Sequence, residues 1–284
     1  VAELLRGRRL AVLGSPIVHS KSPVLHRAAY ETLGLDWTYE VIEMTGDGIA
    51  PFVHALREPW RGLSLTMPLK RDVIPALDEI DRVARLTNAV NTVLCADDGR
   101  RLGFNTDVAG IVRALRERGV DDVGRAALIG AGATATSALV ALAELGADRV
   151  DVYARTPAKA AGLIALGEQL DVTVHPLPIA DLAAAGAVPL VVSSLPGGAA
   201  PGVQVADAIV AGSTLFDVVY APWPTATSTL WSVAARPVIS GLPMLLHQAI
   251  VQVRIFALGD PDAVLPDEDA VLHAMRHALG DMGG

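Results

Sequence analysis

Residues Ala127–Ala135 read ALIGAGATA, an apolar strand running straight into a glycine turn. Gly130 permits the tight turn after the strand. Gly132 removes a side chain where backbone must approach a pyrophosphate, and Ala135 takes the third, small position at which helix and strand pack closely. The following helix presents its unsatisfied N–H groups and positive dipole end to phosphate. A glycine turn alone is often only a turn, but Ala126–Arg155 supplies the strand–helix–strand unit that a dinucleotide-binding turn requires.

Working outward from that turn, Ala126–Ala131, Arg149–Ala154, Val172–Leu177, Leu190–Leu195, Thr214–Tyr220 and Pro237–Gly241 read as strands between Ala/Leu-rich segments. Such alternation predicts one open parallel sheet. More than 100 residues precede it, with strands expected at Arg9–Gly14, Trp37–Met44, Gly62–Thr66, Asn91–Ala96 and Leu102–Phe104, and helices at Ser22–Gly34, Asp47–Arg57 and Arg71–Leu77. After Gly241 the pattern turns helical, over Met244–Leu258 and Asp267–Leu279. The fold class is therefore α/β with two domains. A substrate domain spans 1–107, a Rossmann-like domain with a parallel sheet spans 108–240, and helices over 241–284 return to the first.

Composition narrows the function classes. A chain that is 51% hydrophobic and 19% charged is globular, and its net charge of −8 argues against nucleic acid or an anionic membrane as partner. The apolar runs are short, and the first residues lack a secretory pattern, so neither a membrane span nor export is expected. A lone cysteine, Cys95, excludes an internal disulfide and fits the cytoplasm. The seven histidines show no metal-ligand spacing, so no metal is expected. Nothing demands an oligomer; monomer and homodimer both stand.

The second strand of the glycine-turn unit ends in Ala154–Arg155–Thr156 with Lys159 beyond, where an enzyme using NAD places an acid. Arg155, Thr156 and Lys159 suit a 2′-phosphate, which favours NADP(H); the plain alternative is a surface arginine at a helix start. Upstream, Ser20 and Ser22 flank Lys21 before Pro23, an arrangement that either caps a helix or offers two hydroxyls to a carboxylate. Thr66 and Lys70 bracket a proline bend at a strand end, while Asn91 and Asp107 sit in NAVNT and GFNTD. Taken singly, Lys70 reads first as a solvated surface charge, and Asp107 as a cap for the helix that follows it. His26 and His247 fall in helical stretches and read as packed or surface histidines.

Taken together and in order, these motifs resemble the shikimate dehydrogenase family, over nearly the whole chain. SKSP at 20–23, TMPLK at 66–70, AVNT at 89–92 and NTD at 105–107 are followed by GAG at 130–132 and RT at 155–156. DVVYAP at 217–222 and GLPMLLHQA at 241–249 complete the series. The resemblance implies NADPH-dependent, reversible reduction of 3-dehydroshikimate to shikimate in aromatic amino-acid biosynthesis. It implies Lys70 and Asp107 as the acid–base pair. Ser20, Ser22 and Tyr220 would hold the carboxylate, and Thr66, Asn91, Asp107 and Gln248 would meet the ring hydroxyls. Gly130, Ala131, Gly132, Ala133, Arg155, Thr156 and Lys159 would line the cofactor site, with Gly241 and Met244 near the nicotinamide. Three positions depart from the family pattern: Ser64 and Ala154 each replace an Asn, and Ser193–Ser194–Leu195 replaces N-A-T. Quinate/shikimate or aminoshikimate dehydrogenases using NAD or NADP, and a non-catalytic NADP- or metabolite-sensing module, are the alternative readings.

Overall fold

The computed structural model describes residues 7–199 and 202–280. The chain begins with β1 (Arg9–Gly14), α1 (Ser22–Thr32), β2 (Thr38–Glu43), α2 (Gly46–Ala55), β3 (Trp60–Leu65) and α3 (Leu69–Asp72). It continues with β4 (Glu79–Ile80), α4 (Arg82–Thr87), β5 (Thr92–Cys95), β6 (Arg101–Phe104) and α5 (Asp107–Arg116). Next come β7 (Arg125–Ile129), α6 (Ala133–Glu144), β8 (Arg149–Ala154), α7 (Ala161–Gln169), β9 (Thr173–Pro178) and β10 (Leu190–Ser193). The chain ends with α8 (Asp207–Gly212), β11 (Thr214–Asp217), α9 (Ala226–Val233), β12 (Val238–Ile239), α10 (Gly241–Leu258) and α11 (Glu268–Gly280).

Two compact units form. One comprises residues 1–106 and 245–284, the other residues 107–244. The second division thus falls inside α10 rather than at Gly241, because the helix runs unbroken past the point where the strand rhythm stops.

In the first unit six strands order as β2-β1-β3-β5-β6-β4. β1 pairs parallel with β2 and β3, while β5 runs antiparallel to both β3 and β6. Period-two alternation separates the sheet's faces. Ala11, Leu13, Leu63, Leu65, Val93 and Cys95 point to one face and pack with Ile49 and Val53 of α2 and Leu69 of α3. The intervening Ser64 and Thr92 point to the other face and are directly paired across β3 and β5.

The second unit carries the expected parallel sheet, ordered β12-β11-β10-β7-β8-β9. Strand order reverses between β7 and β10, the position at which open α/β sheets leave a crevice beyond their strand ends. Ala127, Ile129, Tyr153, Val191 and Leu215 bury one face against Leu182, Ile209 and Trp231.

Several local expectations change. The helix expected over Arg71–Leu77 is a four-residue α3 followed by a 3₁₀ turn at Ile74–Ala76, since Pro75 lacks the N–H needed to continue α-helical bonding. Neither β4 nor α4 stood out in the sequence, both being too short for periodicity. α10 is the one helix among the described residues long and apolar enough to cross a membrane, but 72% of it is buried inside the fold, as for a core helix.

Candidate active site

Register places the short polar motifs around β1, β3, β5 and β6 on one edge of the sheet. Leu13 pairs with Leu65, Ser64 with Thr92, and Thr92 with Phe104. The loop after β1, the loop after β3, the residue before β5 and the residues after β6 therefore emerge together. Antiparallel β5 supplies its N-terminal end where its neighbours supply C-terminal ends. Ser15 N–H donates to Met67 O at 2.9 Å and Val90 N–H to Lys70 O at 2.8 Å, fastening these loops to one another.

Ser22 is the first residue of α1, with Pro23 in its first turn, and the cap position belongs to Lys21, which makes no side-chain cap bond. This corrects the capping expectation for Ser22. Instead Ser22 N–H donates to Ser20 Oγ at 3.3 Å, which holds the Ser20 hydroxyl at the helix start. Thr66 follows β3 directly, its N–H donating to Leu13 O, and Lys70 lies half-buried in α3.

Asn91 is 2% exposed and fully oriented. Its Oδ1 accepts from Thr106 N–H at 2.9 Å and from Thr92 Oγ1 at 2.9 Å, and its Nδ2 donates to Thr106 Oγ1 at 2.9 Å. Thr106 Oγ1 also donates to Gln248 Oε1 at 3.4 Å. The structure thus brings Asn91 and Gln248 together through Thr106, a residue the sequence reading passed over inside NTD.

A second omission is Gln252, one turn after Gln248 on the same face of α10. Its Oε1 accepts from Ser64 Oγ at 2.9 Å and from His26 Nε2 at 3.1 Å, and its Nε2 donates to Thr92 Oγ1 at 2.9 Å. A buried glutamine at four-residue spacing from another was the available signal. His26 is fully buried, as the packed reading expects, and burial pushes its pKa down to about 3.

In the second unit the strand ends again align, with Ile129 paired to Tyr153 and to Ser193, and Ser193 to Asp217. Gly130 has φ +113°, a conformation L side chains rarely adopt, and Ser194 Oγ fills the space a Cβ would need. Gly132 has open space around the Cβ position and caps α6 with no side-chain bond. The glycines therefore differ: the first is required by the turn, whereas the second leaves room beside exposed helix N–H groups, with Ala131 and Ala133 adding no bulk. Arg155, Thr156 and Lys159 are exposed beyond β8. The acid on β8 itself, Asp151, lies three residues before the strand end and is held by Arg149 at 2.9 Å and Arg125 at 3.2 Å. Ser193 Oγ is buried at the end of β10 without a hydrogen-bond partner. An uncapped helix start, an open cradle, a basic strand end and an orphaned hydroxyl fit a phosphate-bearing dinucleotide.

Tyr220 lies in the segment after β11, which Asp217 folds by accepting from Thr225 Oγ1 at 2.6 Å and Val219 N–H at 3.2 Å. Burial raises the Asp217 pKa. Gly241 N–H donates to Val219 O at 3.0 Å, and any Cβ there would collide with Val218 O, so the start of α10 meets this segment backbone to backbone. Met244 is buried one turn further on. Asp107, also buried, is the first residue of α5.

Comparison with known proteins agrees. Residues 12–93 match the model of the shikimate dehydrogenase substrate binding domain. The shikimate dehydrogenase (NADP(+)) of Rubrobacter xylanophilus is 34% identical, over 96% of each chain. The crystal structure of Mycobacterium tuberculosis shikimate dehydrogenase aligns with a TM-score of 0.79 at 36% identity, covering 95% of this chain and 99% of that one. That of the Thermus thermophilus enzyme in complex with NADP(H) and shikimate aligns with a TM-score of 0.78 at 32% identity, over 95% and 99%. The chain belongs to the shikimate dehydrogenase family.

Proposed function

We propose that this protein catalyses the reversible, NADP-dependent interconversion of shikimate and 3-dehydroshikimate. The observation that carries this reading is the colinear arrival of all the substrate motifs of the first unit on one sheet edge, beside the hydrogen-bonded Asn91–Thr106–Gln248 cluster. A cyclic polyol carboxylate needs such a set: hydroxyls for the carboxylate, amides for the ring hydroxyls, and a group that moves one proton.

Ser20 and Ser22, with Tyr220, bind the carboxylate. Thr66, Asn91, Asp107 and Gln248 orient the ring hydroxyls. The helix start after Gly132 takes the pyrophosphate, Arg155, Thr156 and Lys159 take the 2′-phosphate, and Gly241 and Met244 border the nicotinamide. When bound, the dinucleotide supplies or accepts the hydride. The protein's remaining task is the proton at the reacting oxygen. Lys70 Nζ and the Asp107 carboxylate share it, the lysine donating during ketone reduction and accepting during alcohol oxidation. Reading the protein as a cytoplasmic enzyme rests on its single, buried cysteine, Cys95.

The test is steady-state kinetics of the purified protein with shikimate and quinate, each with NADP⁺ and NAD⁺. The expected outcome is a clear preference for shikimate with NADP⁺. Preference for quinate makes the chain a quinate/shikimate enzyme, and absence of turnover with either substrate makes it a metabolite-sensing module.

A further inference from the structure

Ser64 and Thr92 form a directly opposed pair across β3 and β5, on the sheet face away from the main apolar cluster of their unit. Both are almost wholly buried, and so is Gln252, at 2% exposure, which bridges them. A buried polar triad is costly unless every group is bonded, and apolar residues of similar size would fill the same space without that requirement. What the triad does beyond filling space follows from the direction of each hydrogen bond.

Two anchors set these directions without ambiguity. Gln252 Nε2 lies 3.2 Å from the carbonyl oxygen of Asn91, which can only accept, so this side of the amide is the donor. Asn91 Oδ1 lies 2.9 Å from Thr106 N, which can only donate, so this side of Asn91 is the acceptor. From the first anchor, Gln252 Oε1 must accept, and therefore Ser64 Oγ–H and His26 Nε2–H both donate to it. Tyr39 O–H then donates to Ser64 Oγ at 2.7 Å, and Tyr30 O–H to His26 Nδ1 at 3.0 Å in a neutral imidazole. On the other side Gln252 Nε2–H donates to Thr92 Oγ1, leaving the Thr92 hydroxyl proton to point at Asn91 Oδ1. From Tyr39 and Tyr30 each donor points toward Asn91, whose Nδ2 in turn donates to Thr106 Oγ1 at 2.9 Å.

We propose that Gln252 is a positioning residue for substrate binding, acting through Asn91. It holds Asn91 at two points, directly at the main-chain oxygen and through Thr92 at the side-chain oxygen. With Oδ1 turned onto Thr92 and Thr106, Asn91 meets a ring hydroxyl as an N–H donor to its oxygen. Ser64, His26 and Tyr39 complete the acceptor side of Gln252 and so keep its amide from turning over. This inference rests on the reading of Asn91 as a substrate contact.

The experiment compares Gln252→Met, Gln252→Glu, Asn91→Ala and the double variant Gln252→Met/Asn91→Ala. Each is assayed for the KM of shikimate, the KM of NADP⁺, kcat and thermal midpoint. Methionine keeps the volume without hydrogen bonds. Glutamate keeps the acceptor toward Ser64 and His26 but lacks the N–H groups that reach Asn91 and Thr92, and it carries the test if the methionine variant does not fold. Both single Gln252 variants are expected to raise the KM of shikimate about tenfold, with the KM of NADP⁺ and kcat little changed. The double variant is expected to be no worse than Asn91→Ala alone, because Gln252 acts through that residue. A normal shikimate KM in the Gln252 variants beside an impaired Asn91→Ala overturns the positioning role and spares the contact. So does an additive double variant, or an equal rise in both KM values. A normal shikimate KM in Asn91→Ala removes the contact itself, and the inference with it.

Discussion

The imidazole of His26 lies flat on the phenol ring of Tyr39, with ring centroids 4.1 Å apart and planes 10° from parallel. The stack closes the apolar side of a ring whose two nitrogens are both already bonded, to Tyr30 and to Gln252. A proton has no place to be solvated there, and burial drives the pKa from 6.5 down to about 3.

The unfolded chain therefore takes up a proton on His26 below pH 6.5, while the folded chain does not until about pH 3. Stability from this group is complete above pH 6.5 and is lost as the pH falls toward 3, at up to about 1.4 kcal/mol per pH unit. Urea denaturation between pH 7 and pH 4 should show this decline, and His26→Gln should remove that share of the slope. Equal slopes in the two proteins would refute the assignment.

Gly130→Ala and Gly132→Ala should separate folding from cofactor binding. At Gly130 the positive φ and the crowding by Ser194 Oγ make any side chain strained, with an expected loss of about 1–3 kcal/mol in thermal or denaturant unfolding. At Gly132 a methyl group meets nothing within 4 Å, so the fold should be retained while the KM of NADP⁺ rises. Unchanged NADP⁺ affinity in Gly132→Ala would remove this turn from the cofactor site.

Arg155→Ala should weaken NADP⁺ roughly 10- to 100-fold, the range of a lost charge-assisted contact, and leave NAD⁺ nearly unaffected. The measurement is the ratio of kcat/KM for the two cofactors. A parallel loss with both would mean that Arg155 shapes the strand end rather than reading the 2′-phosphate.

Lys70→Ala should lower kcat by about 10²- to 10⁴-fold with NADPH binding retained. Titrating NADPH fluorescence against the variant checks the second half. Loss of nucleotide binding in step with turnover would place Lys70 in a different role.

The glycine turn shows how much of the second unit was legible beforehand. ALIGAGATA and the strand rhythm after it are local patterns, set by backbone sterics, and the strand, turn, helix and parallel sheet they predict are found. Gly241 was legible only as part of a motif. Its reason, the backbone of α10 lying against Val218, is a tertiary contact.

In the first unit the motifs were visible but their shared edge was not, because antiparallel β5 enters from the opposite direction and only strand pairing reveals it. Of the two readings of Ser22, the cap fails by one position, since Ser22 is the first helical residue, a difference that local propensity does not resolve. Thr106 and Gln252 were missed for the same physical reason: each acts through partners far away in sequence, Gln252 through Ser64 and Thr92 at separations of 188 and 160 residues.

By itself, then, the sequence determined the α/β class, the strand–turn–helix at the glycine turn and the order of short polar motifs that marks the family, since these depend on neighbours along the chain. Only the tertiary structure decided how those motifs are oriented. Hydrogen-bond direction, such as the one-way run from Tyr39 through Ser64 and from Gln252 through Thr92 to Asn91, exists only once distant donors and acceptors have been desolvated together.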